Sequence, residues 1–156
     1  MLIHVTRFTA VQHAVHHQVE EYIRHMRQRV LRGIDHEPIL DRLRTLWEKD
    51  FLPTAAQIRT TYPDLAIPSD EKWEDIIAVL PNILPDVQVK MINGTAKDAL
   101  DYADSQGAGL KVIAIGGDKL ARGLTLEDLC VSYFLRASRM YDTLMQMGRW
   151  FGYRPG

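Results

Sequence analysis

Cysteines and long apolar segments are nearly absent from this sequence. Cys130 is the single cysteine among 156 residues, so neither a disulfide framework nor a cysteine zinc site can form within one chain. Its position in the apolar run LCVSYF predicts a buried, unreactive thiol. No apolar run approaches the roughly 20 residues of a membrane span, and MLIHVTRF lacks the basic start of a signal peptide. We therefore expect a cytoplasmic protein with no membrane partner.

A strong net charge is also absent. The formal net charge is −1, which gives no bulk field for nucleic acid. The charges are unevenly spread, because residues 1–32 carry five Lys or Arg against two acids and residues 107–156 carry seven against four. Residues 37–75 carry five against nine. The mildly basic ends hint at an electropositive face, although such charge most often serves only solvation.

Four short segments have the composition of β-strands. They are LIHVTRF at the start, VQVKMI (87–92), LKVIAIGG (110–117) and LCVSYFL (129–135). The last two are nearly continuous apolar runs, as is typical of central parallel strands with both faces covered. Because these strands alternate with helical patterns, the sequence predicts an α/β fold with a parallel sheet.

Helical patterns fill most of the remaining chain. A long helix is predicted from a cap at Thr9 to Gly33, with an apolar stripe of Val11, Val15, Val19, Tyr22, Met26 and Val30. EPILDRLRTLWEKDF predicts helix inside an insertion at about 36–68. Another helix is expected from a cap at Ser69, with Pro81 ending it or starting a new turn. AKDALDYADSQ and SRMYDTLMQMGRWF, the second capped by Ser138, complete the pattern.

Arginines follow the last two predicted strands. In a parallel sheet the loops after the strands lie at the carboxyl edge, where ligands bind. The loops 116–125 and 135–139 both lie there, so Arg122, Arg136, Arg139 and Arg149 are expected to converge on one rim. The planar guanidinium binds oxyanions bidentately, and the pattern therefore favours a phosphate ligand.

The same region carries a family resemblance. GGDKLARGL and QMGRWFGYR resemble motifs V and VI of the second RecA-like domain of superfamily 2 helicases. The similarity is closer still to the Z-one domain family of restriction-associated candidate endonucleases. That family shares GGDKLARGLTLE, YFLRASRMYDTLMQMGRWFGYRPG and the opening LIHVTRF. The match is dense over 1–31 and 110–156, whereas the residues between these two ranges match the family only in pattern.

The resemblance implies a fold and a function. The fold is a three-layer RecA-like, P-loop NTPase-like domain over 1–156, a parallel sheet flanked by helices with the helical insertion at about 36–68. The function is that of an ATP-dependent DNA-acting protein of a restriction or defence system. The chain is expected to be a fragment of it, helicase-like and endonuclease-like, with DNA as a partner.

The resemblance also implies roles for individual residues. Arginine fingers stabilise charge in phosphoryl transfer, and the finger candidates implied are Arg149 and Arg154, with Gln146 as a further catalytic residue. The implied nucleotide contacts are Asp118, Arg122, Gly123 and Gly148. The implied nucleic-acid contacts are Gly117, Lys119, Arg136 and Arg139. An alternative for Arg149 is a structural ion pair with Asp142 or Asp128.

The sequence departs from the helicase motifs at several positions. Gly117 stands where motif V usually begins with Thr, and Thr125 stands where an acid is usual. One residue separates Gln146 from Gly148, where two are usual, and Arg154 follows Arg149 by five positions. The ribose contact and the identity of the finger stay open. A second hypothesis is therefore a non-catalytic RecA-like module that docks or contacts DNA.

A phosphate-binding loop is missing from the sequence. No segment fits G-x-x-x-x-G-K-[ST], so the chain supplies at most half of an ATP site. ATP and Mg²⁺ are expected only together with a first RecA-like domain, and none on this chain alone. A half-motor of this kind also has a rim suited to homodimer formation.

Three other groups of residues have competing interpretations. Pro63, Asp64, Asp70 and Lys72 spell a nuclease-like pattern, but a helix start explains the last two better. His13 and His17 are spaced to share a metal, yet with His16 they look like a solvated helix face, and we expect no metal site. Trp150, Phe151 and Tyr153 can stack on bases or close the core, which is favoured for Phe151.

Overall fold

A computed structural model describes residues 1–64, 71–92, 110–117 and 129–135 of the chain. The chain divides into two compact units. The first comprises Met1–Glu21 with Val87–Gly156, and the second is Tyr22–Asp86. The fold class of the described residues is α/β, as predicted. The single domain over 1–156 stays a prediction.

The described part of the first unit contains a four-stranded parallel sheet. The strands are β1 (Leu2–His4), β2 (Gln88–Ile92), β3 (Val112–Gly116) and β4 (Ser132–Phe134), in the order β2-β3-β1-β4. Every pairing is parallel. The four segments with strand composition therefore all form strands, and the prediction of a parallel sheet is confirmed.

Helix α1 (Thr9–Arg32) follows β1 with defined ends. The carbonyl of Phe8 accepts hydrogen bonds from the N–H groups of Val11 and Gln12, so Phe8 takes the cap position and Thr9 is the first helical residue. At the other end Gly33 has φ +64°. The Gly33 N–H bonds to the Val30 carbonyl and the next N–H to the Arg29 carbonyl. This Schellman arrangement needs a left-handed residue, and glycine adopts it without steric cost.

The buried face of α1 differs from the predicted valine stripe. Gln12 and Ile23 are buried, whereas Val11 is 41% and Tyr22 57% exposed. Four-residue steps drift by about 40° around a helix of 3.6 residues per turn, so a stripe built mainly from them leaves the packed face. Val15 and Val19 lie on both the predicted stripe and the observed packed face, and they pack against the sheet.

The sheet core has two sides that alternate along β1. Leu2 packs with Ile92 and Ala114 on one side. Ile3 and Val5 pack with Ile115 on the other, the side covered by α1. Both Leu2 and Ile115 are 0% exposed. Both faces of β1 and β3 are therefore covered, which explains why LKVIAIGG is apolar without alternation.

Among the described residues, the second unit contains the end of α1 and three further helices, two of which are joined by a π-helical turn. Helix α2 (Glu37–Leu46) continues through a π-helical turn (Trp47–Phe51) into α3 (Leu52–Thr61). In that turn the Leu52 N–H donates to the Trp47 carbonyl, five residues back. The turn directly precedes Pro53, which cannot donate to a carbonyl four residues earlier. The helical prediction for 37–51 is confirmed.

Helix α4 (Trp73–Ile83) corrects two expectations. It begins after Lys72, whose N–H donates to Oδ2 of Asp75 at 2.9 Å, so Asp75 fixes the start from inside the first turn. The predicted cap, Ser69, lies outside the described residues. Pro81 lies within the helix and does not end it. Helical hydrogen bonding continues beyond Pro81, because the Leu84 N–H donates to the Leu80 carbonyl.

Strand β4 is more open than its sequence predicts. It occupies an outer position among the described strands, and Tyr133 is 55% and Leu135 52% exposed. Cys130, which precedes it, is exposed, so the prediction of a buried thiol is wrong. An apolar run cannot distinguish an outer strand from a central one by itself. Among the described ranges, no helix is long and apolar enough to cross a membrane.

Candidate functional site at the carboxyl edge of the sheet

All four strands end at the same edge. His4 lies opposite both Gly116 and Phe134, and Ile92 lies opposite Gly116. The ladder continues one step further, because the Val5 N–H bonds to the Gly116 carbonyl and the Leu135 N–H to the His4 carbonyl. The segments that begin at residues 118 and 136 therefore leave from one edge. We call this the carboxyl edge, made of His4–Phe8, Ile92, Gly116–Gly117 and Phe134–Leu135.

The connections from β1 and from β3 run in opposite directions along the sheet. In the order β2-β3-β1-β4, the chain leaves β1 past β3 to reach β2. It leaves β3 past β1 to reach β4, in the opposite direction. Such a change of direction between neighbouring strands is where ligands bind in open α/β sheets. The topology therefore singles out the β1 and β3 ends within the carboxyl edge.

Gly117 packs closely at this point. A Cβ on Gly117 would lie 2.6 Å from the Thr6 carbonyl oxygen and 2.6 Å from Nε2 of Gln12. The same Gln12 nitrogen donates to the Thr6 oxygen at 2.9 Å, which joins the loop after β1 to helix α1. Because one neighbour is backbone, no side chain fits here without displacing the loop after β1. Gly117 thus has a packing role, and its contact with nucleic acid stays a prediction.

His4 is the most buried polar residue of the edge. It is 1% exposed and lies at the end of β1. Its ring centroid is 5.5 Å from that of Phe134, with the planes tilted by 34°. His4, Thr6 and Gln12 were not among the predicted site residues. The signal available was a histidine within the otherwise apolar LIHV, which places a polar ring inside a covered strand.

In the loop after β1 the Phe8 backbone is hydrogen-bonded, whereas the side chains of Arg7 and Phe8 are exposed. The Phe8 N–H donates to Oγ1 of Thr6 at 3.3 Å, and the Phe8 carbonyl begins α1. The Phe8 side chain is nevertheless 60% exposed. The guanidinium carbon of Arg7 lies 5.4 Å from the centroid of the Phe8 ring, within cation–π distance.

Most of the predicted site residues lie outside the described residues. Gly117 is the exception. The others are Asp118, Lys119, Arg122, Gly123, Arg136, Arg139, Gln146, Gly148, Arg149 and Arg154. β3 ends at Gly116 and β4 at Phe134, where the predicted loops 116–125 and 135–139 begin. The convergence of the arginines themselves stays a prediction.

The described residues form no cluster at the alternative nuclease and metal sites. Asp64 follows α3 and Lys72 precedes α4, while Asp70 lies outside the described residues. Within the described ranges no three histidine, cysteine or acidic side chains are placed to share a metal ion.

Two histidines of α1, His16 and His17, instead have contacts within the protein. His17 Nε2 lies 3.8 Å from Oε2 of Glu21 one turn away. His16 Nε2 lies 3.4 Å from the Val89 carbonyl oxygen, and its Nδ1 is 3.9 Å from Oε2 of Glu20. His16 is partly buried against β2, which corrects its assignment to a solvated face.

The described residues define an α/β protein with a parallel sheet whose strands end at one edge. A family model for the Z1 domain matches residues 1–156, the whole sequence, and the chain therefore belongs to the Z1 domain family. No curated protein and no solved structure matches the chain.

Proposed function

We propose that this chain is the second RecA-like domain of an ATP-dependent DNA-acting protein of a restriction or defence system. One observation carries the proposal: β3 and β4 are parallel and end at the same edge, so the arginine-bearing segments after both leave from it. Membership of the Z1 domain family and the resemblance of residues 115–156 to helicase motifs V and VI support it.

The proposal divides the edge between two ligands. Arg149 or Arg154, aided by Gln146, acts as the finger that neutralises charge on the transferred phosphoryl group. Asp118, Arg122, Gly123 and Gly148 contact the nucleotide. Gly117, Lys119, Arg136 and Arg139 contact the DNA backbone, where Lys and Arg supply sequence-independent affinity.

The triphosphate and Mg²⁺ require a second domain. Magnesium prefers carboxylate and phosphate oxygens, and the described residues of the carboxyl edge include no carboxylate. The sequence also has no P-loop. In this proposal the chain lends arginines to a nucleotide held mainly by a first RecA-like domain, and phosphoryl transfer depends on the joined pair.

A second candidate function is a non-catalytic module of the same fold. The altered spacing in QMGRWFGYR favours it, because a finger must lie within hydrogen-bond distance of the γ-phosphate. In that case the edge contacts DNA or a partner domain without ATP turnover.

One assay separates the two functions. ATP hydrolysis is measured, with and without DNA, in the protein that joins this domain to its P-loop partner. The variant is Arg149→Ala, and Arg42→Ala on the exposed surface of α2 is the matched control. Loss of a finger is expected to lower kcat by about 10³-fold or more, with DNA binding retained. Wild-type protein without DNA-stimulated turnover would instead establish the non-catalytic module.

A further inference from the structure

The second half of α1 carries a concentration of positive charge. Residues 22–32 contain no aspartate or glutamate and four arginines, namely Arg24, Arg27, Arg29 and Arg32. The segment that follows is different, because residues 37–75 carry five Lys or Arg against nine acids. The net charge of the whole chain is only −1, so the positive charge of residues 22–32 is a local feature.

Three basic side chains of this segment form one exposed row. His25, Arg29 and Arg32 are spaced by four and then three residues, which places them on the same face of the helix. All three are exposed. With a rise of 1.5 Å per residue, the row is about 10 Å long. We call these three residues the basic row of α1.

Packing and helix capping do not account for the two arginines of the row. None of the ion pairs among the described residues includes Arg29 or Arg32. Arginines in a last helical turn can bind free carbonyl groups there. In α1, however, the carbonyls of Arg29 and Val30 already accept from the N–H groups of Ile34 and Gly33. Folding therefore gains from these arginines only the favourable interaction of a cation with the end of the helix dipole.

We propose that the basic row of α1 binds the phosphate backbone of duplex DNA. Each guanidinium can bind phosphate oxygens bidentately, and the imidazole of His25 offers a ring N–H donor whether or not it is protonated. Contacts of this kind favour the ligand with the greatest density of phosphate. A duplex carries one negative charge per about 1.7 Å of its axis, which is twice the density of a single strand.

The basic row is distinct from the carboxyl edge. The row belongs to the second unit, whereas the residues that define the edge belong to the first. The inference rests on the proposed DNA-binding function and adds to it a second set of phosphate contacts, made by residues that no helicase motif includes.

The test measures binding of the 156-residue chain to a short fluorescent DNA duplex over a range of salt concentrations. In the double variant Arg29→Gln/Arg32→Gln, the slope of log K against log salt is expected to fall by about 1.8, the value for two phosphate contacts on duplex DNA. Arg29→Lys/Arg32→Lys should keep the wild-type slope, because both charges remain. An unchanged slope in the glutamine variant would overturn the proposal.

The matched control removes the same charge elsewhere in the second unit. Arg42→Gln/Lys49→Gln changes two exposed residues, each beside an aspartate in the sequence. This variant should bind as wild type, and thermal unfolding checks that every variant is folded. If it lowers the slope as much as Arg29→Gln/Arg32→Gln, the effect comes from net charge and the basic row is not a site.

Two further arms test the identity of the ligand. Polyglutamate supplies carboxylates in place of phosphates, and it should compete with the labelled duplex far less effectively than unlabelled duplex of equal charge. Equal competition would show that the row binds any polyanion, including an acidic protein. If Arg29→Gln/Arg32→Gln weakens binding of a single strand more than binding of the duplex, the choice of duplex DNA is wrong.

The remaining outcomes separate this inference from the function on which it rests. If Arg122→Ala weakens DNA binding while Arg29→Gln/Arg32→Gln does not, the inference is wrong and the proposed function stands. If only Arg29→Gln/Arg32→Gln weakens binding, the basic row stands and the proposed contact of Arg122 is wrong. If the wild-type chain binds no DNA, both are overturned.

Discussion

The strands of the sheet and the helices between residues 37 and 83 differ sharply in burial. Leu2 and Ile115 are fully buried in the sheet, whereas α2, α3 and α4 contain no buried residue. Hydrophobic stabilisation scales with the apolar area removed from water, so the sheet owes its stability to packing. The helices depend more on local features, such as the Asp75 cap and the stacked rings of Trp47 and Phe51. A tightly packed sheet suits a functional site, because the residues of such a site must keep fixed positions.

The largest expected difference comes from shortening a side chain in each region. Ile115→Ala should lower the free energy of unfolding by about 2–5 kcal/mol, because it leaves a cavity between the layers. Val79→Ala in α4, where the side chain is 48% exposed, should cost less than about 1 kcal/mol. Urea unfolding followed by circular dichroism measures both. Equal losses would remove the distinction between the regions.

The next largest loss of stability is expected at the carboxyl edge of the sheet. Gly117→Ala should destabilise the sheet unit by about 1–3 kcal/mol, because its Cβ would be forced against the Thr6 carbonyl oxygen. Removing the other neighbour with Gln12→Ala should not restore stability, since the backbone contact stays. Thermal unfolding of the single and double variants tests this. A neutral Gly117→Ala would show that the β1 and β3 loops are further apart.

The smallest effect belongs to the end of α1. Gly33→Ala should cost about 1 kcal/mol, because φ at +64° places a Cβ close to its own backbone. Gly33→Asn should cost less, as asparagine tolerates the left-handed region. The midpoint of thermal unfolding compares the three proteins. Identical midpoints would show that the helix ends in another conformation.

The sequence predicted the strands better than their surroundings. Runs such as LKVIAIGG are β-branched and bounded by glycine, so composition alone identifies them. Gln12 was missed because its burial depends on the Thr6 carbonyl, a contact between a helix and a loop. The exposure of Cys130 was missed because strand order is a tertiary property. Pro81 was expected to end the helix or to start a new turn, but it lies inside α4, since a helix can continue past one missing N–H.

The candidate site was predicted less completely. Its location followed from a general rule, that loops after parallel strands share an edge, and the described register agrees with that rule. Gly117 was chosen by resemblance, and its close packing against Thr6 is a property that no motif encodes. The exposure of Phe8 was not predicted, because an apolar residue in a strand-like segment is ordinarily expected to be buried.

The central claim is that the arginines after β3 and β4 meet at one edge of the sheet. Spin labels at Arg122→Cys and Arg149→Cys, in a Cys130→Ser background because Cys130 is exposed, allow a direct distance measurement by electron paramagnetic resonance. A third label at Gln88→Cys marks the opposite edge, at the start of β2. The account predicts a distance between positions 122 and 149 clearly shorter than either distance to position 88. A distance between 122 and 149 as long as those to position 88 would contradict it.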